Sequence, residues 1–411
     1  MQDIIRFLEN QRRSHDVDML KRSMVNFGLA IDQAKVIVVA GTNGKGSTCA
    51  TLQTLLMASG KSVGFLSSPH LVRINERIKF NGQDISDEDF CKVFRAVHDK
   101  VQNFDLSYFE YLTMMAVYYF FSLRNVDFAL LEVGLGGTMD AVNAIPHQIS
   151  VITKLGMDHG AILGDNILDI ADNKFGIISE GNRVFHTKFS DDGIARLFKK
   201  IVNERDAIAT EAYPYSCSVD LSDRYPSFYL DTLWGTFRMN LQGERAAENS
   251  ALAITIFDYL QSGAVWQFLP ALEHVIWPGR MQLINYRGQE VFLSGDHNPQ
   301  GIQSLLDILQ FYNFESLYFI VGICRDKNHH EMLSQLMHFR DSNTHIYLTE
   351  TPVKTLHLAE YDEIFRKTAK IMSPNPILAL DKAIDEANSS PRPGIIVTGS
   401  LYLLGKILVA R

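Results

Sequence analysis

The sequence is poor in cysteine, with four in 411 residues at Cys49, Cys91, Cys217 and Cys324, and it contains no CxxC pair. That spacing excludes a disulfide framework and a cysteine-based zinc site, and it fits a reducing cytoplasm. No uninterrupted apolar stretch approaches the ~18–20 residues that a membrane helix needs. The opening MQDIIRFLENQRR puts charge into its first turn and lacks an apolar signal core, so secretion is not expected. An excess of positive charge is also missing. Against 47 acidic side chains stand 39 basic ones, and the net charge of -8 disfavours nonspecific attraction to nucleic acid. What is present is 46% apolar and 21% charged, too apolar for disorder and long enough for two or three domains.

Short apolar runs alternate with helical patterns. Residues 36–39, 63–66, 128–133 and 149–153 are nearly continuously apolar, as expected of strands covered on both faces. Leu52, Leu55 and Leu56 line one side of a helix that ends at Gly60, and 87–101 and 109–121 carry further helical patterns. This alternation predicts a mostly parallel, doubly wound sheet. From about Asp206 to Arg238 the composition shifts to Tyr, Ser and Asp, which predicts short strands or excursions before a helix over 246–261. The breaker Trp277-Pro278-Gly279-Arg280 resets the pattern, and strands return at 291–293, 317–321, 345–348 and 395–398. The expected class is α/β. An N-terminal phosphate-loop NTPase-like domain with a mostly parallel sheet covers 1–277, and a smaller C-terminal Rossmann-like α/β domain covers 278–411. A long insertion in one large domain is the alternative.

The strongest local signal is Ala40-Gly41-Thr42-Asn43-Gly44-Lys45-Gly46-Ser47-Thr48, between a strand and a helix. Its glycines let several N–H groups point at one anion, Lys45 adds a charge, and the helix N-terminus adds its dipole. A hydroxyl just after the lysine suits Mg²⁺ or a phosphate oxygen. Magnesium takes few ligands from protein and keeps water and phosphate for the rest. Three segments at strand ends offer such ligands: Ser68 in a Ser-Pro turn, Glu132 closing an apolar run, and His159 after Asp158. In a parallel sheet these ends converge on the edge that carries the phosphate loop. Glu132 weighs most, because a carboxylate closing a buried strand is costly without a partner.

AGTNGKGST, SSPHLVRINERI, SYFEY, LEVGLGG, GMDHGAILG, WPGR, GDHNP and VTGSLYLLG follow one another along the chain. In this order they resemble folylpolyglutamate synthases and bifunctional dihydrofolate synthases, within the wider Mur-ligase-like group of ATP-dependent amide ligases. The resemblance implies that ATP converts a carboxylate of folate or dihydropteroate to an acyl phosphate, which the amino group of L-glutamate displaces. It implies ATP contacts from Thr42, Asn43, Gly44, Lys45, Gly46 and Ser47, with Asn249 reading the adenine, Arg280 reaching the nucleotide from the domain junction, and Ser294 adding to the set. Ser68 and Glu132 are expected to hold one Mg²⁺ and His159 a second. Lys174 falls where the family carries an N-carboxylated lysine that supports this second metal. Ser107, Tyr108 and Phe109 match the segment that contacts the pterin, although an aromatic pair opening an apolar helix reads equally well as core. Catalytic His297 with Asn298, and Ser400 with Tyr402, are expected where glutamate meets the acyl phosphate. Residues 1–277 then form the ATP- and folate-binding domain and 278–411 the glutamate-ligase domain. The implied partners are small molecules, without nucleic acid or membrane, and the implied state is a monomer in the cytoplasm.

Several positions depart from the family pattern. Thr138 replaces a usual arginine, Asn173 an acidic residue, Phe175 a small one, and Ser294 an aspartate, with Asp296 two places later. A retained phosphate loop beside an altered periphery points to ATP chemistry with altered acceptor handling. Three alternatives stay open at this level: a Mur-type amide ligase with another carboxylate acceptor, a phosphate-loop ATPase or kinase-like switch, and a nucleotide-binding relative with weakened activity.

Overall fold

The β-branched run Val36–Ala40 forms strand β1, buried along its whole length. In the computed structural model, which describes residues 1–12, 16–261, 263–339 and 343–410, this strand lies inside an eight-stranded sheet. Its companions are β2 (Val63–Leu66), β3 (Ile78–Phe80), β4 (Gln83–Asp84), β5 (Phe128–Glu132), β6 (Ile149–Ile152), β7 (Arg183–His186) and β8 (Ile208–Glu211). The order is β4-β3-β2-β5-β1-β6-β7-β8. Only the β2–β3 and β3–β4 pairings are antiparallel. The parallel register sets Val39 beside Glu132 and Ala40 beside Ile152, so the loops leaving β1, β5 and β6 emerge from one edge. After β1 the chain moves to one side for β2 and returns for β5. It then crosses to β6 on the other side, and such a reversal opens a crevice at the carboxyl ends of the strands.

Two compact units form. One comprises Met1–Ser216, Asp231–Phe237 and Ala246–Val275; the other comprises Cys217–Leu230, Arg238–Arg245 and Ile276–Arg411. The Tyr- and Ser-rich middle of the chain contributes β9 (Ser216–Asp220), β10 (Ser227–Thr232) and β11 (Gly235–Met239), a three-stranded sheet in the order β11-β10-β9. The second unit holds a six-stranded sheet of β12 (Gln282–Tyr286), β13 (Gln289–Leu293), β14 (Ser316–Val321), β15 (Thr344–Thr349), β16 (Ile371–Ser373) and β17 (Pro393–Thr398). Its order is β12-β13-β17-β14-β15-β16, parallel except for the β12–β13 hairpin. Among the described residues no helix is long and apolar enough to cross a membrane.

The helix expected over 109–121 begins at Tyr108, runs to Val117 and continues as a π-helical segment, Tyr118–Arg124. Phe120 in that segment lies fully buried against Gly64, where an added Cβ would fall 2.5 Å from its ring. A Gly64→Ala variant should therefore lose about 1–3 kcal/mol of stability through overpacking. Denaturant unfolding measures the loss, and an unchanged midpoint would mean that the helix layer yields.

Candidate functional site

The helix Lys45–Ala58 follows β1 through Gly41–Gly44 and has Gly44 at its N-cap with no side-chain cap. The loop is strapped down on its near side. The amides of Thr42 and Asn43 donate to the carbonyl of Lys154, and the Thr42 hydroxyl donates to the carbonyl of Gly156. Thr153 Oγ1 donates to the carbonyl of Asn43 at 2.8 Å. Of the expected phosphate-binding residues, Thr42 thus spends its amide and hydroxyl on the protein. The amides at the helix start, from Lys45 to Ser47, precede any intrahelical acceptor, and the positive end of the helix dipole lies there. Gly44 has φ +93°, and a Cβ there would lie 2.1 Å from Asn249 Oδ1. Asn249 is 2% exposed and that oxygen has no hydrogen-bond partner.

Two lysines meet at one carbonyl. Lys45 Nζ donates to Gly41 O at 3.1 Å, and Lys174 Nζ donates to the same oxygen at 3.0 Å. Lys174 is 5% exposed, on the helix Ile167–Phe175. It is brought there by close backbone approach: a Cβ on Gly137 would stand 2.6 Å from Asn173 O and 2.9 Å from Lys174 Cα. Thr138 secures the contact, its amide and hydroxyl both donating to Asn173 O.

Glu132 ends β5 buried, and its Oε2 accepts the amide of Ser68 at 3.1 Å. Cys49 lies within reach of the charges on Glu132 and Lys45. Burial first, and Glu132 second, push its thiol well up, against the opposing pull of Lys45, so it stays protonated. His159 takes φ 54° at the start of the short helix Gly160–Leu163, 3.9 Å from Asp158. Among the described residues no three His, Cys, Asp or Glu side chains form a metal-holding group. Ser68 and Glu132 meet through the hydrogen bond from the Ser68 amide.

Next to Ser68 lies a residue that sequence reasoning passed over. Arg77 donates from Nη1 to Ser68 Oγ at 3.1 Å and from Nε to His70 Nδ1 at 2.9 Å. Burial, reinforced by the Arg77 charge, lowers His70 to about 4, which keeps the ring neutral and able to accept. The guanidinium also lies 5.5 Å from the centroid of the Tyr108 ring. The three expected pterin-contact residues behave differently from one another. Ser107 is wholly buried as the N-cap of Tyr108–Val117, in a capping box with Glu110. Phe109 packs beneath Gly134, while Tyr108 stays half-buried beside Arg77. Glu110 is fully buried and also accepts the amide of Asp16 and a hydrogen bond from Arg12, tying the N-terminal segment to this helix.

The second unit gathers its expected residues at the carboxyl ends of β13 and β17. Ser294 donates to Asp296 Oδ2 at 2.5 Å, and Asp296 faces Arg280 at 3.8 Å. The carbonyl of Asp296 accepts from the amide of Gly399, just past β17. His297 Nδ1 lies 2.8 Å from Gly295 O, an acceptor that fixes a proton on this nitrogen. Asn298 caps the helix Pro299–Leu309. Ser400 is buried and caps Leu401–Val409 by accepting the amide of Tyr402, itself half-buried.

Comparison with known proteins agrees with this geometry. The family model described as "Dihydrofolate synthetase, C-terminal domain" matches residues 280–410. The dihydrofolate synthase/folylpolyglutamate synthase of Buchnera aphidicola is 32% identical over 320 residues, covering 75% of this chain and 73% of that protein. The chain belongs to the folylpolyglutamate synthase/dihydrofolate synthase family. The Bacillus subtilis member is 28% identical over 419 residues, or 94% of this chain and 93% of its own. The fold is that of the Mycobacterium tuberculosis folylpolyglutamate synthase solved with ADP and AMPPCP. Its TM-score is 0.88 at 24% identity, covering 100% of this chain and 97% of that one.

Within this family frame two departures have local substitutes. Thr138 ties its loop to Asn173 through a hydroxyl where the usual residue is a cation. Ser294 donates its hydrogen bond to the carboxylate of Asp296, two residues later. A Gly44→Ala variant should bind ATP analogues about tenfold or more weakly, because its Cβ would strain the loop and displace Asn249. Titration with a fluorescent analogue checks this, and unchanged affinity would detach Gly44 and Asn249 from the nucleotide.

Proposed function

We propose that the chain is an ATP-dependent ligase that joins L-glutamate to a carboxylate of folate or dihydropteroate through an acyl phosphate. One observation carries the reading. In a member of this family, an uncapped helix start with Lys45, the Ser68–Glu132 pair and buried Lys174 share one sheet edge.

The residues suit a nucleotide and a divalent cation. The amides from Lys45 to Ser47 and the Lys45 ammonium bind phosphate oxygens, and Asn249 offers the base an unpaired buried oxygen. Glu132 and Ser68 would hold a magnesium ion, which when bound would neutralise phosphate charge. N-carboxylation would turn Lys174 into an anion and relieve the meeting of two ammonium groups at Gly41, and with His159 it would serve a second metal. Tyr108, half-buried beside Arg77, offers the acceptor an aromatic face, and Phe109 supports it from beneath Gly134. Positioning and charge stabilisation account for most of the catalysis. In the second unit His297 would take the proton that the attacking amine loses, Ser400 and Tyr402 would hold glutamate, and Arg280 with Ser294 would serve the nucleotide.

Phosphate release from MgATP and L-glutamate should depend on adding dihydropteroate or tetrahydrofolate. Turnover without an acceptor, or none with either, would overturn the reading. Glu132→Gln should lose about a hundredfold or more in turnover with its fold intact, because it removes metal-binding charge rather than volume. Near-normal activity would remove Glu132 from the metal site. Lys174→Ala should be inactive and regain activity with short carboxylates, and failure of rescue alongside wild-type turnover would count against carboxylation.

A further inference from the structure

We propose that Arg77 binds the reacting carboxylate of the acceptor, an inference that rests on the ligase reading above. Arg77 is 7% exposed, and among the described residues no carboxylate oxygen lies within ion-pair distance of it. Its protein partners are neutral: the ring of His70, the hydroxyl of Ser68 and the face of Tyr108. The nearby carboxylates are committed elsewhere. Glu76 accepts the amides of Leu71, Val72 and Arg73, Asp87 pairs with Arg73 and Asn75, and Glu132 accepts the amide of Ser68. A buried cation without an anion is costly, and a protein retains one where a ligand supplies the missing charge.

The contacts also aim the group. A guanidinium has five N–H donors, and His70 and Ser68 take two of them, one on Nε and one on Nη1. These two bonds and the Tyr108 ring fix the plane and leave three donors, one on Nη1 and two on Nη2, for a planar, two-oxygen acceptor. Ser68 lies between Arg77 and Glu132, so a carboxylate held by Arg77 is set beside the proposed metal pair. Tyr108 on the other side suits the ring that carries this carboxylate. Arg77 would both retain the nucleophilic oxygen and offset the repulsion between it and the phosphates.

The test is equilibrium binding of dihydropteroate and of its carboxamide, followed by pterin fluorescence without nucleotide. Wild-type protein, Arg77→Met and Arg77→Lys are compared, with binding of an ATP analogue as the control for folding. Arg77→Met should bind the acid about 10- to 100-fold more weakly and the carboxamide as wild type does, and Arg77→Lys should recover part of the loss. Undiminished binding of the acid by Arg77→Met would overturn the proposal. So would an equal loss of acid and carboxamide, which marks a packing role, or a selective loss of the ATP analogue, which marks a phosphate contact. Wild-type protein that binds neither dihydropteroate nor tetrahydrofolate would overturn the ligase reading, and this inference with it. A ligase whose Arg77→Met variant still binds the acid normally overturns this inference alone.

Discussion

The parallel register of β1 with β5 and β6 is the constraint on which the first unit depends. Because Val39 pairs with Glu132 and Ala40 with Ile152, the chain beyond each pairing starts from the same edge. Gly41 then stands against Thr153, where a Cβ would come within 1.9 Å of the threonine hydroxyl. Its carbonyl is left as the meeting point of Lys45 and Lys174, although 133 residues separate Gly41 from Lys174. A one-residue slip of β5 would turn Glu132 to the opposite face of the sheet and separate it from Ser68. The chemistry is therefore set by strand pairing before any catalytic side chain is considered.

Charge balance explains the next layer. Buried cations at Lys174 and Arg77 and a buried anion at Glu132 sit around a loop whose own amides are electropositive. Removing such groups from water is repaid only by partners, and those of Arg77 are a hydroxyl, an aromatic face and a neutral imidazole. Elsewhere the same chain does pair buried charge directly, as Arg12 does with Glu110. The contrast with Arg77 separates a structural pair from a cation placed to receive charge from outside.

Much of this was legible from sequence, for physical reasons that also mark the limit. The nearly continuous apolar runs read at 36–39, 63–66 and 149–153 fall on covered strands because two-sided burial leaves little room for polar alternation. The helix at 87–101 was readable from its period, and Ser86 caps it. The strand Arg183–His186 escaped notice because a charged start and a histidine end break its apolar run. The motif SSPHLVRINERI identified Ser68 but not Arg77, whose role arises from a hairpin that folds β3 back along β2. Glu110 looked like part of a helix start, and its buried bonds to Arg12 and Asp16 depend on a segment over ninety residues away. Local pattern reveals which residues are covered, while convergence of polar side chains across long separations is fixed only by topology.

The second unit repeats the logic with different parts. Its carboxyl-edge groups follow β13 and β17, adjacent parallel strands, so Asp296 and Gly399 meet by backbone hydrogen bonding before their neighbours' side chains act. Such a frame tolerates exchange of side-chain roles. Asp296 has its carbonyl fixed by Gly399 and its carboxylate between Ser294 and Arg280, so the acid can stand two residues from its usual place. A serine at 294 then becomes a donor to that acid instead of a vacancy. The same holds for Thr138, where a hydroxyl fixed to Asn173 keeps the glycine loop on its helix without a cation. In both places a backbone contact and a neutral side-chain donor hold the local frame. Altered handling of the acceptor and of phosphate is thus compatible with an unaltered frame.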